Sequence, residues 1–204
     1  MVGARRARAL VRLANVVDRE GIPGVIVDCG VWNGGSTILM SVGAPTRTVW
    51  AFDSFEGMPK AGEFDPKLAH QLTGEVRGSE AKLRHGFEQF SSPRLLQVGR
   101  GWFEDTFPRL ADQIDTVALL HIDADWYEPV RLALETFYPK LAPGGYCAVD
   151  DYNFWSGTRR AVDEFRAKWQ ISAPIVSNHY WSKFAGEEQA ERARAARGAS
   201  SWQR

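Results

Sequence analysis

The strongest constraint in this 204-residue sequence is a succession of short, unbroken apolar runs, several of which stop on an aspartate. They are residues 25–29 (VIVDC), 48–53 (TVWAFD), 94–98 (RLLQV), 116–123 (TVALLHID) and 145–150 (GYCAVD). A strand with one wet face alternates apolar and polar residues. Continuous runs belong to strands covered on both faces, which means parallel strands between layers of helix. Helical spacing fills the intervals: residues 35–42, 79–90 with Leu83, Phe87 and Phe90, 128–140 with Val130, Leu134 and Phe137, and 157–169 with Ala161, Val162, Phe165 and Trp169. The pattern predicts an α/β fold around a parallel sheet. Pro143-Gly144-Gly145 is expected to end a helix and feed the last of these strands. APIVS and YWSKF, around Asn178-His179, suggest an antiparallel hairpin closing one edge.

The flanking segments differ in character. The first 17 residues predict a basic amphipathic helix that packs over the sheet or against a partner. Residues 56–78 are rich in Gly, Pro and charge and lack periodicity, which suggests a lid or a disordered segment. Residues 186–204 are polar and Ala/Arg-rich, as in a solvated helix or an oligomer contact. Lys plus Arg and Asp plus Glu are each 25, so the chain carries no net charge. That excludes nucleic-acid binding by bulk charge and a polybasic membrane mechanism. No apolar run reaches the ~20 residues of a membrane span, and MVGARRARAL lacks an apolar secretory core. The two cysteines, Cys29 and Cys147, lie in strand-like runs and read as buried thiols of a cytoplasmic protein.

The chemistry-bearing residues gather where strands end, the edge of a parallel sheet at which ligands bind. Asp28-Cys29-Gly30-Val31-Trp32-Asn33-Gly34-Gly35-Ser36 is an acidic strand end, a glycine turn and a helix start. Its amides and the Ser36 hydroxyl suit an anion such as a carboxylate or phosphate. Asp53 ends the second run, placed either to accept from ribose hydroxyls or to cap the next helix. Gly99-Arg100-Gly101-Trp102-Phe103-Glu104-Asp105-Thr106 offers an aromatic cover for a flat base, or a helix start capped by Asp105. Asp123, Asp125, Asp150 and Asp151 converge after the last two strands. Carboxylates so crowded need raised pKa values or a cation, and oxygen ligands alone suit a hard divalent ion. The competing reading makes some of them helix caps. His121, inside a strand, is expected to support the site. Of the eight tryptophans, Trp32, Trp102, Trp126 and Trp155 fall beside these motifs.

Taken together and in order, DCGVWNGGST, VWAFDSFEGMP, GWFEDTFP, HIDADWYEP and LAPGGYCAVDDYNFWSGTRRAVDEF resemble the macrocin O-methyltransferase family over residues 20–184. The resemblance implies a class I methyltransferase Rossmann-like fold: a mostly parallel seven-stranded sheet, helices on both faces and a C-terminal antiparallel hairpin. It implies one domain over residues 1–185, with a helical cap over 1–20, a mobile lid over 56–78 and a polar tail over 186–204. It implies S-adenosylmethionine as cofactor, with Asp28, Gly30, Val31 and Ser36 around the methionine part. Asp53 would take the ribose hydroxyls, Ser54 and Phe55 the adenosine, and Gly101, Trp102 and Phe103 the adenine. Asp123, Asp150 and Asp151 would bind Mg²⁺, or equally Mn²⁺, with Asp123 also bordering the cofactor. Asp125 would be the general base. The similar catechol-type enzymes place a lysine where this chain has Trp126, which points to a non-catechol acceptor. Trp126, Tyr127, Tyr152 and Trp155 are expected to stack on that acceptor.

The implied reaction carries the methyl group to a sugar hydroxyl of a glycosylated natural product. An alkoxide forms at the ion, and displacement is in line. Phenolic or polyketide hydroxyls are an alternative acceptor. A metal-dependent phosphate hydrolase and a non-catalytic S-adenosylmethionine-binding module are alternatives of another kind; Asp28 and Asp53 weigh against the first and the complete aspartate set against the second. The short segment before the first strand is expected to leave the acceptor pocket either open or completed by a partner subunit of a homo-oligomer.

Overall fold

The structure, a computed structural model, describes residues 3–177 and 179–183. In chain order the elements are α1 (Ala4–Arg19), β1 (Val25–Cys29), α2 (Gly35–Gly43), β2 (Val49–Asp53), α3 (Glu80–Glu88), β3 (Leu96–Arg100), α4 (Phe103–Leu110), β4 (Val117–Ile122), α5 (Tyr127–Phe137), β5 (Leu141–Val149), α6 (Ser156–Trp169) and β6 (Tyr180–Ser182). They form one sheet in the order β3-β2-β1-β4-β5-β6. All pairings are parallel except β5 with β6. The order reverses between β1 and β4, the position at which open α/β sheets bind their ligands.

The two-residue period of the strands sorts the core into two layers. Val27 and Cys29 of β1, Leu120 and Ile122 of β4 and Cys147 and Val149 of β5 face α4, α5 and α6, where they meet Phe107, Leu134, Phe137 and Phe165. Ile26, Val49, Ala51 and Leu119 face α1, α2 and α3 and meet Leu13, Val17, Met40, Leu83 and Phe87. Both thiols are fully buried and unpaired, and burial raises their pKa values.

Three details depart from the sequence reading. Among the described residues the sheet has six strands rather than seven. The first arm of the expected hairpin is reduced to one bridge, Val176 to Tyr180, beside Pro174, which has no N–H to give a ladder. Pro143-Gly144-Gly145 lies inside β5, not ahead of it. The register against β4 slips there, from Val117–Leu141 to Leu119–Tyr146, and Gly144 (φ 82°) turns its amide to Lys183 O. Residues 56–78 contain a 3-10 turn, Lys67–Gln71, and are anchored. The Asp65 carboxylate accepts from the Gly62 and Tyr127 amides, and Ala61 and Ala69 pack on Trp126. The tail over 186–204 lies outside the described residues.

Phe137 is fully buried, 5.4 Å from Phe52 and 4.8 Å from Phe107 between ring centroids. Phe137→Ala should therefore cost about 3–5 kcal/mol. A melting scan should show a fall on the order of 10 °C for a chain of this size.

Candidate active site

Four hydrogen bonds just beyond the strand ends assemble the site. Gly30 N donates to Phe52 O at 2.8 Å, Asp123 N to Cys29 O at 2.8 Å, Asp150 N to Ile122 O at 2.8 Å, and Gly101 N to Asp53 O at 2.9 Å. Each extends its ladder by one residue and sets the following loop against its neighbour along the carboxyl edge. Above that edge lies a cleft of about 1280 Å³. Gly30, Val31, Ser36, Asp53, Ser54, Gly101, Trp102 and Phe103 line it on the β1–β2–β3 side; Asp123, Asp125, Asp150, Asp151 and Trp155 line it on the β4–β5 side, with Arg6.

Asp28 is fully buried beneath this surface and does not line the cleft. One carboxylate oxygen accepts from Ser36 Oγ at 2.9 Å and Thr37 Oγ1 at 2.6 Å; the other lies 2.7 Å from His121 Nδ1. The geometry follows from register, since Asp28 and His121 are direct partners across β1 and β4. Burial alone would lower the His121 pKa, but the Asp28 charge outweighs it and lifts the ring to about 9. The Ser36 hydroxyl is thus turned inward rather than toward an anion, because a buried carboxylate requires donors. α2 follows its N-cap Gly34, φ 89°, without a side-chain cap, and Gly35 and Ser36 of its first turn line the cleft.

Asp53 organises the loops around it. Its Oδ2 accepts from Val31 N at 2.9 Å and Trp32 N at 2.8 Å, and its Oδ1 from Phe55 N at 2.6 Å. Burial raises its pKa, and the three amides pull it back. Gly30, φ 85°, allows β1 to pass β4 closely, because a Cβ there would stand 1.9 Å from Asp123 O. Phe103 stacks on Phe107 at 4.6 Å, with its edge in the cleft. Asp105 lies in the first turn of α4, where no side chain caps the helix.

The aspartates do converge. Oxygens of Asp123, Asp125 and Asp151 lie within 4.8 Å of one another, a span one divalent ion bridges with bonds of about 2.0–2.6 Å. Burial and then the Asp150 charge push the Asp123 pKa well up. Burial and the Asp151 charge raise Asp125 to about 7, against a hydrogen bond from Trp155 Nε1 at 2.9 Å. Asp150 stands apart from this trio. Its Oδ1 is 2.8 Å from Arg6 Nη1, and the same nitrogen donates to Asp151 Oδ1 at 3.1 Å. The close set thus contains Asp125 beside the expected Asp123 and Asp151, while Asp150 adjoins it through the Arg6 guanidinium that it shares with Asp151. Asp125 and Asp151 both have left-handed backbones, φ 57° and 56°, a conformation Asp adopts more readily than most residues.

Several expected contacts lie elsewhere. Trp126, 1% exposed, is packed under the 56–78 segment and donates to Pro59 O at 3.0 Å. Tyr127 points to Glu164 at 2.6 Å and Tyr152 to Asp163 at 2.7 Å, on the far side of α6. Phe55 is buried among the α1–α2–α3 layer. Of the four aromatics expected on the acceptor, Trp155 alone borders the cleft. Arg6 was missed. The connection from α1 enters the amino end of β1, so α1, about 24 Å long at 1.5 Å per residue, must begin at the opposite, carboxyl edge; that inference places its early arginines beside the acids.

The O-methyltransferase NovP has the same architecture, with a TM-score of 0.81 at 35% identity, over 90% of this chain and 81% of that one. Fold and relatives together define an O-methyltransferase dependent on S-adenosylmethionine. The family profile described as Macrocin-O-methyltransferase (TylF) matches residues 1–184, and the chain belongs to that family. Demethyldecarbamoylnovobiocin O-methyltransferase of Streptomyces niveus is 35% identical over 90% of this chain and 75% of its own length. The 8-demethyl-8-(2,3-dimethoxy-alpha-L-rhamnosyl)-tetracenomycin-C 4'-O-methyltransferase of Streptomyces olivaceus is 36% identical over 86% of this chain and 70% of its own.

The His121 pair makes stability depend on pH. Its folded pKa of about 9 exceeds the unfolded 6.5, so its contribution is complete below 6.5 and is lost as pH rises through 9. In EDTA, the urea midpoint should fall between those values, and less steeply in His121→Gln. NMR of the unmodified protein should show one imidazole still protonated at pH 8; four rings titrating below 7 would contradict the pairing.

Proposed function

We propose that the protein moves the methyl group of S-adenosylmethionine to a hydroxyl on a sugar of a glycosylated natural product, with Mg²⁺ or Mn²⁺ at the acidic cluster. The observation that carries this reading is the meeting, in one cleft, of Asp53 and the Gly101–Phe103 loop with Asp123, Asp125 and Asp151. Pockets for one drug-sized ligand span about 300–1000 Å³, so a cleft of about 1280 Å³ has room for a nucleoside-type cofactor and an acceptor beside it. The name of the Streptomyces olivaceus relative specifies a rhamnosyl acceptor, which favours a sugar over a phenol.

Asp53 would hold one of the ribose hydroxyls. A carboxylate has about four acceptor positions, and three are taken by amides, so one remains to receive a hydroxyl. Gly101, Trp102 and Phe103 would border the adenine, with Ser54 beside it, and the open amides of α2 would face the carboxylate of the methionine part. Asp28 would act from beneath, by fixing Ser36 and the turn before it. The trio of Asp123, Asp125 and Asp151 offers a hard, all-oxygen donor set that fits a divalent ion, with Asp150 adjoining. Such an ion, when bound, lowers the pKa of an alcohol it touches. Asp125, held in place by Trp155, would take the proton from the acceptor hydroxyl. The sulfonium methyl is already activated, and the cleft would supply alignment and exclude water. The 56–78 segment would cover the cleft through Gly57, Met58, Pro59, Lys60 and Leu72, which border it.

Calorimetric titration with S-adenosylhomocysteine and turnover on glycosylated acceptors test these roles. Asp53→Ala should weaken binding roughly 10- to 150-fold, from about 1.5–3 kcal/mol per hydrogen bond to a charged group. Asp125→Asn should lower kcat by about 10²–10⁴ while leaving that affinity within twofold. An undiminished kcat in Asp125→Asn would remove the base assignment. EDTA should abolish turnover, and added Mg²⁺ or Mn²⁺ should restore it.

A further inference from the structure

Arg6 is the basic side chain that reaches the acidic cluster from outside the sheet. Its Nη1 bridges Asp150 Oδ1 and Asp151 Oδ1, and the side chain is 40% exposed at the cleft. Asp151 is also one of the three carboxylates whose oxygens lie close enough for a shared ion. We infer that Arg6 and the divalent ion compete for these carboxylates, so that α1 is a latch: Arg6 holds its first turns on the site until the ion arrives, and ion binding releases them. This deepens the proposed function and rests on its ion site.

Two physical features support the competition. First, an ion bonded to Asp151 at about 2.0–2.6 Å would stand beside a guanidinium nitrogen already 3.1 Å from a carboxylate oxygen of that residue. Two cations so close repel, and the divalent one binds a compact set of carboxylates more strongly. Second, the start of α1 has little else to hold it. Its buried residues are Leu10, Leu13, Ala14 and Val17. None of Ala4–Ala9 is buried, and Gly3 at the N-cap gives no side-chain cap. Among the described residues, Arg6 ties this stretch to the carboxyl edge through Asp150 and Asp151. With it displaced, the first turn and a half is free to fray or to swing off the cleft, while the helix stays seated from Leu10 onward.

The test measures ion binding and helix protection, not turnover. EDTA-stripped protein is titrated calorimetrically with MgCl₂ and MnCl₂, alongside Arg6→Met and Arg8→Met, the latter an exposed arginine on the same helix. Competition predicts about tenfold tighter binding in Arg6→Met, equivalent to about 1.4 kcal/mol, and no change in Arg8→Met. Hydrogen exchange on the unmodified chain should show the hydrogen-bonded amides of residues 7–9 exchanging faster when Mg²⁺ saturates the site. Equal or weaker binding by Arg6→Met, or unchanged exchange at 7–9, overturns the latch and leaves the ion site standing. No binding to any of the three proteins overturns the ion site and the latch with it.

Discussion

A carboxylate with no access to water must find its partners inside the protein, and Asp28 finds three on two neighbouring elements. Ser36 and Thr37 bring the start of α2 onto it, and His121 locks β4 to β1. Removing His121 would leave the carboxylate buried without its counter-charge, which costs several kcal/mol, and removing either hydroxyl about 1.5–3 kcal/mol. The glycine turn above is therefore not a free loop that a cofactor must order. Its two ends are tied to one side chain, and Asp53 holds its middle by two amides. The half of the cleft that faces β1 and β2 is fixed by anions already paired with the backbone and with neighbouring hydroxyls.

The other half has the opposite character. Asp123, Asp125, Asp150 and Asp151 are closer than their mutual repulsion favours, and burial and repulsion raise the pKa values of Asp123 and Asp125. Asp125 and Asp151 sit in left-handed turns, and Trp155 holds the Asp125 side chain. Such an arrangement persists because cations stand around it: protonated His121 beneath, Arg6 at the rim, and a place among three carboxylates for one more. One half of the cleft is thus complete as it stands, and the other is built around positive charge that arrives from elsewhere.

Much of this was legible in the sequence. Unbroken apolar runs such as VIVDC and TVALLHID, alternating with helical spacing, disclosed a parallel sheet, because strands covered by helices on both faces need no polar face. Asp53, Asp123 and Asp151 were found because they lie directly at strand ends, where position along the chain nearly determines position in space. What depended on side-chain direction was less accessible. Trp126 and Tyr127 come immediately after the acidic motif, yet helical geometry turns them under the 56–78 segment and toward Glu164. Phe55 and Asp28 border the motifs in sequence but face the α1–α2–α3 layer, a distinction of one residue in register. Arg6 was hidden by distance, lying 144 and 145 positions before its partners. Pro143-Gly144-Gly145 carries a turn signature that β5 absorbs as an irregularity, with its amide redirected to Lys183.

Gly30 shows how a site can be dimensioned by something missing. Its Cα faces the carbonyl of Asp123 so closely that a single methyl group would stand 1.9 Å from that oxygen. The separation of β1 from the end of β4, and with it the height at which Asp123 enters the cleft, is set by a side chain of zero length. The acids do not determine their own spacing; a hydrogen atom one strand away acts as the shim. Because a displacement near 1 Å in a positioned site can cost about 10²-fold in rate, even alanine at that position would act on the chemistry without touching any reacting group, through the mechanical tolerance of two neighbouring strands.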